Sequence, residues 1–277
     1  MRRAAENCSV VFHVGAKAGV WGPYEDYYQT NVLGTENVLR ACRELGIPRL
    51  IYTSSPSVTF DGHDQEDVDE STPYPQTFTA AYPATKAEAE RLVLAANSEE
   101  LATVALRPHL IWGPGDQHLL PRLMDRARKG RLRLVGSGVK RVDAVYIDNA
   151  VTAHLCALER LKFGSVIAGK TYFITNAEPW PMADIINGLL QAVSLRPISK
   201  SISFKTAYRL ASFFEALYAI FRIKREPPLT RFVTQQLATA HWYKTRAARD
   251  ELGYIPRISM REGLRLLAES RKPKVQS

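Results

Sequence analysis

The segment Arg49-Leu-Ile-Tyr-Thr53 runs directly into Ser54 and Ser55, and it decides the fold. A run this short with an apolar interior favours a buried β-strand over a helix. In a parallel sheet, ligands bind beyond the carboxyl ends of the strands. Ser54 and Ser55 are therefore predicted to lie where such a sheet places a functional site, although serine is also common in turns and helix caps.

Two further apolar runs accompany this strand. Ser9–Val14 is rich in β-branched residues and ends at Gly15, and Ala102–Leu106 is a third strand candidate. Helical patterns separate the three runs, at about Tyr24–Leu45 and Tyr82–Ala96. Strands that alternate with helices predict βαβ units with right-handed crossovers, and hence a Rossmann-like, doubly wound parallel sheet of the α/β class.

Beyond Gly115 the pattern changes. One short basic helix and two strands are predicted there, at about Leu119–Lys129, Ala144–Ile147 and Thr171–Ile174. From Pro181 onward the chain is mostly helical in pattern. We therefore expect a partial nucleotide-binding domain over residues 1–175 and a smaller, mostly helical substrate-binding lobe over residues 176–277, to which residues 114–142 contribute.

One helical segment of this lobe, Tyr208–Phe221, carries an apolar stripe. Its members recur at helical spacing and are Leu210, Phe214, Leu217, Tyr218 and Phe221. We expect the stripe to belong to the core, and the alternatives are a helix that covers an apolar substrate or touches a membrane surface. With Glu215 inside it, the segment is too short and too polar to cross a bilayer.

Tyr82-Pro-Ala-Thr-Lys86 places a phenol and an ammonium group four residues apart, on one face of the second predicted helix. An acid/base catalyst works best when its pKa is near the working pH, which lies well below that of an ordinary phenol. We expect the Lys86 ammonium, helped by the charge of an oxidised nicotinamide, to lower the pKa of Tyr82. The pair alone is weak evidence, since a chain with 12 tyrosines matches this spacing by chance about half the time.

Five segments of the chain carry a more specific pattern. They are His13–Gly22, Asn31–Leu39, Tyr52–Ser55, Tyr82–Lys86 and Leu106–Gly115. Together they resemble the extended short-chain dehydrogenase/reductases, and within them the 3β-hydroxysteroid dehydrogenase-like branch. The resemblance covers nearly the whole chain.

This resemblance implies an oxidoreductase that uses NAD or NADP and forms a homodimer. It makes Tyr82 the proton donor or acceptor, Lys86 its pKa-lowering partner and a ligand of the nicotinamide ribose, and Ser55 the ligand of the substrate oxygen. Besides Tyr82 and Lys86, it places five residues at the cofactor, namely Gly15, Ala16, Lys17, Pro108 and His109.

Two of the matching stretches, Gly19–Tyr28 and Ser54–Val58, indicate the substrate class within the branch. They resemble enzymes that act on a large apolar β-keto or β-hydroxy acid, or on a sterol with such a group. We therefore expect oxidation or reduction at the 3-keto or 3-hydroxy group of a lipid-like molecule. The aromatic stripe of Tyr208–Phe221 suits an apolar substrate, and a basic surface suits the carboxylate of such a substrate.

The beginning of the chain departs from the pattern of a dinucleotide-binding sheet. Such a sheet opens with a strand, a GxGxxG or GxxGxxG loop and an acidic residue about 20 positions later. Gly15, Gly19 and Gly22 follow a strand, but no apolar strand with a terminal Asp or Glu follows at that distance. We expect the phosphate-binding segment to lie outside this sequence, as in a truncated gene model, and the chain as given to bind NAD(P) poorly. The same segment distinguishes NAD from NADP.

Two alternative functions stay open at this stage. A nucleotide-sugar epimerase or dehydratase shares the tyrosine, lysine and serine, and it would bind a diphosphate with the basic run Arg122–Arg141. A non-catalytic remnant or scaffold would keep the substrate lobe without a working cofactor site. The six histidines show no HExxH or similar spacing, so we assign no metal.

Composition sets the remaining expectations. Hydrophobic residues make up 45% and charged residues 23% of the chain, as in folded globular proteins. The net charge of +9 comes without a nucleic-acid-binding motif, so we expect no nucleic-acid partner and keep peripheral membrane contact as an option. Cys8, Cys42 and Cys156 are widely spaced and the chain shows no signal peptide, which favours the reducing cytoplasm.

Overall fold

The computed structural model describes residues 2–223 and 225–271. The helices are α1 (Arg2–Ala5), α2 (Tyr24–Tyr27), α3 (Gly34–Leu45), α4 (Ala81–Ala95), α5 (Leu119–Arg128), α6 (Ile147–Arg160), α7 (Met182–Ala192), α8 (Phe204–Ile220), α9 (Arg231–Ala238), α10 (Arg246–Asp250) and α11 (Met260–Ser270). A π-helical turn covers Tyr28–Leu33 and a 3₁₀ helix covers Pro56–Thr59.

The strands are β1 (Val11–His13), β2 (Arg49–Thr53), β3 (Gln65–Val68), β4 (Ala102–Pro108), β5 (Ile111–Trp112), β6 (Leu134–Val135), β7 (Arg141–Val142), β8 (Val145–Tyr146), β9 (Thr171–Ile174), β10 (Trp180–Pro181), β11 (Ser201–Ile202) and β12 (His241–Tyr243).

Four of these strands form the main sheet, in the order β1-β2-β4-β9, and every pair in it is parallel. Ile51 of β2 lies between Phe12 and Val104 of its neighbours. Every residue of β4 is buried, because an interior strand of a parallel sheet is covered on both faces. The predicted parallel sheet is confirmed.

Helices cover the main sheet on both faces. On one face, Val38 and Cys42 of α3 pack with Ala89 and Val93 of α4 against β2 and β4. On the other face, the buried alanines of α6 pack with the residues that follow α10 in the chain. The doubly wound α/β arrangement that the alternation of elements predicted is therefore present.

The first long helix differs from its prediction at one point. The predicted helix over Tyr24–Leu45 is helical throughout but contains the π-helical turn between α2 and α3. It ends at Gly46, whose φ of 64° is left-handed, so this position favours glycine. The π-helical turn buries Asn31, a polar residue that belongs to the site described below.

A second apolar core lies between the end of the sheet domain and the C-terminal residues. Trp112 and Tyr146 pack there with α5, α7 and α11. A mixed sheet in the order β10-β7-β12-β3 adds a further connection, because β12 pairs with β3 and β7. Residues 114–142 thus pack with the C-terminal helices, while Ala248, Leu252 and Tyr254 return to the core of the main sheet.

Two sequence-based expectations are corrected. The strand predicted at Ala144–Ile147 is only the two-residue β8, because α6 begins at Ile147. The expectation that the Tyr208–Phe221 stripe is core is wrong, since Leu210 and Phe221 are exposed. The helix α8 is instead buried along Ala207 and Ala211, whose small side chains allow close approach. No helix in the described part of the chain is long and apolar enough to span a membrane.

Candidate active site

Ser55 and Tyr82 meet beyond the carboxyl end of β2, as the strand-end rule predicted. Ser55 is the N-cap of the 3₁₀ helix, where its Oγ accepts from the Ser57 backbone N–H at 3.2 Å and shares a hydrogen bond of 2.9 Å with the Ser57 hydroxyl. The Ser55 hydroxyl also lies close enough to the Tyr82 phenol to influence its pKa. Ser55 is therefore both a cap and a neighbour of Tyr82.

The pKa of Tyr82 is raised from its ordinary value. Burial of the phenol is the main cause, because it disfavours the charged phenolate, and the nearby Ser55 hydroxyl opposes it. The lowering that we expected from Lys86 is not found. The reason is geometric, because the Lys86 ammonium donates its hydrogen bond to the Thr53 carbonyl.

Lys86 is almost completely buried, at 2% exposure. Its Nζ donates to the Thr53 carbonyl at 2.7 Å and lies 4.1 Å from the centre of the Tyr52 ring. Burial lowers the pKa of Lys86 to about 7, and Glu90 opposes this shift. An ammonium has three donors, so the hydrogen bond to Thr53 leaves two for other ligands.

Asn31 is a site residue to which the sequence analysis gave no role. Its side chain accepts from the Lys17 backbone N–H at 2.7 Å and donates to the Lys17 carbonyl at 3.2 Å and to the Thr85 hydroxyl at 3.0 Å. It thus fixes the loop after β1 against α4, one residue before Lys86. A π-helical turn is frequent at functional sites, but sequence alone does not reveal one.

Gly15, Ala16 and Lys17, which were expected at the cofactor, lie in this loop after β1. Gly15 and Ala16 are exposed, and a Cβ at Gly15 would meet no atom within 4 Å, so the loop has open space beside it. Lys17 forms an ion pair with Asp26, with 2.9 Å between Nζ and Oδ2. The Lys17 ammonium therefore points to Asp26, whereas the Lys17 backbone is bound to the Asn31 side chain.

Pro108 is the last residue of β4 and His109 follows it, and both are buried. The His109 Nδ1 lies 2.6 Å from the Asp143 carbonyl, and its ring is T-shaped to those of His241 and Tyr243. Burial, aided by His241, lowers the pKa of His109 to about 3. His109 is therefore a neutral ring in contact with the C-terminal residues.

Two cavities adjoin these residues. The first, of about 170 Å³, is lined by Tyr82 together with Trp21, Glu215 and Arg231. The second, of about 250 Å³, is largely apolar and is lined mainly by residues of the second core, with His109 in its wall. Val20 lines both cavities, so they are neighbours. The arrangement places the Tyr82 phenol in one cavity and a space that suits an apolar chain in the next.

A parallel α/β sheet with Ser55 just after β2, and with Tyr82 and Lys86 on α4 beside it, is the arrangement expected of the dehydrogenase class. Residues 1–205 match the model of the 3-beta hydroxysteroid dehydrogenase/isomerase family. The chain belongs to this family. The family expected from the five sequence segments is therefore confirmed, and so is the prediction that the chain is an oxidoreductase.

Relatives with named activities span almost the whole chain. The 2-alkyl-3-oxoalkanoate reductase of Stenotrophomonas maltophilia is 55% identical over 269 residues, which are 96% of this chain and 82% of that protein. The enzyme of the same name from Shewanella oneidensis is 44% identical and covers 98% and 72% of the two chains. The decarboxylating sterol-4-alpha-carboxylate 3-dehydrogenase of Mus musculus is 34% identical, with 96% and 75% covered.

Solved structures confirm the fold. The structure of gox2253 has a TM-score of 0.73 at 25% identity and covers 99% of this chain and 82% of that one. The UDP-glucuronic acid 4-epimerase of Bacillus cereus, solved with NAD, has a TM-score of 0.71 at 22% identity, with 97% and 76% covered. The likeness to this epimerase concerns the fold alone.

Proposed function

We propose that the chain reduces the 3-oxo group of a long-chain 2-alkyl-3-oxo acid with NADH or NADPH, and catalyses the reverse oxidation of the 3-hydroxy acid. The observation that carries the proposal is the position of Tyr82, with Ser55 near it, in a cavity that adjoins a second, largely apolar cavity. Relatives at 55% and 44% identity, named for such a reduction, support it. In the reductive direction the C3 carbonyl becomes a secondary alcohol.

The chain's own residues have three roles in this proposal. The Ser55 hydroxyl donates a hydrogen bond to the C3 oxygen, and the Tyr82 phenol transfers its proton to that oxygen as the carbon accepts the hydride. The raised pKa of Tyr82 keeps the phenol protonated, as a proton donor must be. Lys86, bound to the Thr53 carbonyl, lies beneath the site, and its pKa of about 7 leaves it partly charged at neutral pH.

The residues at the strand ends fit the nicotinamide half of a dinucleotide. Bound NADH or NADPH supplies the hydride. Lys86 has two donors for the ribose hydroxyls, and the open space beside Gly15 admits a ligand close to the backbone. Ala16, Lys17, Pro108 and His109 complete the proposed cofactor contacts.

Arg231 is the proposed ligand of the substrate carboxylate. It lines the same cavity as Tyr82, and in a 3-oxo acid the carboxylate is only two bonds from the reacting carbon. Its backbone N–H and Nε donate to Glu215 at 2.7 and 2.5 Å. The Nη donors at the other edge of the guanidinium suit a second carboxylate, because Arg binds such groups through two parallel hydrogen bonds.

The experiment that tests the function is an assay of the purified protein with a saturating concentration of reduced nicotinamide and a 2-alkyl-3-oxo acid. The expected result is oxidation of the cofactor with formation of the 3-hydroxy acid. Turnover of UDP-glucose without turnover of the 3-oxo acid would contradict the proposal, as would inactivity on both when the cofactor is shown to bind.

A nucleotide-sugar substrate is the second candidate, and one feature favours it. A cleft of about 460 Å³ is lined by two acidic residues, Asp125 and Glu226, and by an excess of five cations, namely Arg126, Lys129, Arg131, Arg133 and Arg225. Such a set can bind a diphosphate. We rank this candidate second because the relatives at 55% and 44% identity are named for 3-oxo acids.

The proposal also covers the domain boundaries, the location in the cell and the oligomeric state. We assign residues 1–175 to the nucleotide-binding domain and residues 176–277 to the substrate lobe, with residues 114–142 contributing through the shared second core. We also assign the protein to the cytoplasm, supported by its three unpaired cysteines. A homodimer is expected from the family, and analytical ultracentrifugation tests it.

A further inference from the structure

A buried ion pair lies between α4 and β4, outside the groups that contact substrate or cofactor in the proposed function. It joins Glu90 and Arg107, whose side chains are 0% and 3% exposed. Arg107 donates to both carboxylate oxygens, from Nη2 at 2.6 Å and from Nε at 3.0 Å. The Tyr74 phenol donates to the same carboxylate at 2.7 Å. Three hydrogen bonds therefore fix the Glu90 carboxylate in place.

Glu90 lies one helical turn after Lys86. The two residues are four positions apart on α4, and this spacing brings their side chains onto the same face of the helix. The groups that the Lys86 ammonium contacts are the Thr53 carbonyl and the Tyr52 ring, which carry no charge. Burial lowers the pKa of Lys86 to about 7, and Glu90 is the residue whose charge opposes this shift. A fixed, buried carboxylate therefore acts on the buried amine of Lys86.

The other titratable groups around this cluster do not supply negative charge to Lys86. The nearest are one imidazole and three phenols, namely His13, Tyr52, Tyr74 and Tyr82. Burial lowers the pKa of the imidazole to about 4 and raises the pKa of each phenol, so all four are neutral at neutral pH.

Two charged groups lie on the Arg107 side of the cluster. Glu70 accepts from the backbone N–H of Phe173, which is the β9 partner of Arg107, and the pKa of Glu70 is lowered by Arg107 but raised more strongly by burial. The Arg91 guanidinium lies 4.2 Å from the centre of the Tyr74 ring. Neither group shifts the pKa of Lys86, so Glu90 remains its source of negative charge.

We propose that Glu90 is a positioning residue for the reaction, because its carboxylate, held by Arg107 and Tyr74, favours the ammonium form of Lys86. This inference rests on the proposed function, in which Lys86 binds the nicotinamide ribose. After its bond to the Thr53 carbonyl, the ammonium keeps two donors for the ribose hydroxyls. A neutral amine would keep one donor and no charge. Glu90 thus acts on the cofactor through Lys86 and does not touch it.

The test removes both charges of the pair together. Glu90→Gln alone would leave the Arg107 cation unpaired in the interior, which is strongly destabilising. The double variant Glu90→Leu/Arg107→Met replaces the pair with apolar side chains of similar size, and such exchanges of buried ion pairs are often tolerated. The matched control, Glu262→Leu/Arg265→Met, makes the same changes in an ion pair on the surface of α11. Circular dichroism checks that each protein is folded.

The direct readout is an NMR titration of the full chain with an isotope label at the lysine ε-carbons, without substrate or cofactor. The Lys86 signal is assigned by its loss in Lys86→Met. The expected midpoint is about 7 in the wild type and in the control, and at least about one pH unit lower in Glu90→Leu/Arg107→Met. An unchanged midpoint in the folded double variant overturns the proposal. A wild-type midpoint below about 5 also overturns it, whether or not the variant folds.

The pH dependence of the KM for reduced nicotinamide separates a charge effect from a misplaced lysine. A midpoint lowered by about one pH unit predicts a KM about fivefold higher in the double variant at neutral pH, and a wild-type value about one pH unit below neutral. A higher KM that persists at the lower pH means that Lys86 is displaced, and overturns the proposal. If no protein reduces a 3-oxo acid, the proposed function fails, and the NMR titration still decides the role of Glu90.

Discussion

At the scale of single residues, the site depends on polar groups held at a distance from water. Lys86 is the clearest case, since its buried ammonium has one carbonyl partner and a neighbouring aromatic ring. Burial lowers its pKa to about 7, so the folded protein binds fewer protons at this position than the unfolded chain does at neutral pH.

This shift predicts a specific pH dependence of stability. Between about pH 7 and the ordinary lysine value of 10.5, the unfolded state holds the extra proton, so stability rises with pH across that window. Lys86→Met removes this rise. Urea unfolding at neutral and at alkaline pH should show the wild type gaining about 2–4 kcal/mol relative to the variant. Parallel pH profiles for the two proteins would show that Lys86 is not shifted.

Arg231 makes a second prediction at this scale. Arg231→Gln should raise KM for a 3-oxo acid by about tenfold or more, because a charge-assisted hydrogen bond to the carboxylate is lost, and should change kcat little. The methyl ester of the same acid has no carboxylate, so its KM should not change. Steady-state kinetics on both compounds provides the measurement.

Arg246→Gln is the matched control, because that side chain is 83% exposed and its partner is the surface residue Asp250. It should leave both substrates unaffected. If Arg231→Gln lowers activity on acid and ester equally, the effect comes from the partner Glu215 or from folding, and the carboxylate assignment is wrong.

At the scale of elements, close contacts between helices and strands position the two cores. Gly263 of α11 is one such contact, since a Cβ there would lie 2.7 Å from Trp112 Cη2 and from Tyr146 Cδ2. Gly34 of α3 is a helical glycine with space around it, because a Cβ would meet only the Gln29 carbonyl at 3.8 Å.

The two glycines predict opposite results for the same substitution. Gly34→Ala should stabilise the protein by about 0.5–1 kcal/mol, the usual gain from Ala over Gly in a helix. Gly263→Ala should destabilise it by about 1–3 kcal/mol through overpacking against Trp112 and Tyr146. Thermal unfolding of both variants is the measurement. Stabilisation by Gly263→Ala would mean that α11 does not approach the second core this closely.

Sequence patterns correctly predicted those helices and strands whose apolar residues recur with a period that fits only one type of secondary structure. The apolar strand Arg49–Thr53 has no helical alternative, and its end correctly placed Ser55 near Tyr82. The stripe in α8 misled because this helix is apolar on several sides, so periodicity could not identify the buried one. Arg231 could not be found at all, since it reaches the Tyr82 cavity from a distant part of the chain.

The direction of the Lys86 side chain was unpredictable for a related reason. Spacing on α4 places it on the same side as Tyr82, but the Thr53 carbonyl and the Tyr52 ring determine where the ammonium lies. These partners come from β2, and sequence spacing within a helix contains no information about them. The role of Lys86 was therefore predicted from resemblance, and its contacts required the structure.

At the scale of the whole molecule, function depends on two apolar cores, and the chain passes from one core to the other several times. Ser55 and Tyr82 belong to the main sheet and its helices, whereas the apolar cavity is lined largely by residues of the second core. His109 lies at the junction, with its ring against His241 and Tyr243. A substrate that reaches from Tyr82 into that cavity contacts both parts of the molecule.

The central claim is that Tyr82 transfers the proton to a 3-oxo substrate held across these two parts. The most direct test is the rate of 3-hydroxy acid formation by wild-type protein, Tyr82→Phe and the control Tyr24→Phe, whose ring is exposed. Tyr82→Phe is expected to reduce kcat by about 10²–10⁴, the usual contribution of a general acid, while Tyr24→Phe retains wild-type activity. Wild-type kcat in Tyr82→Phe would contradict the account.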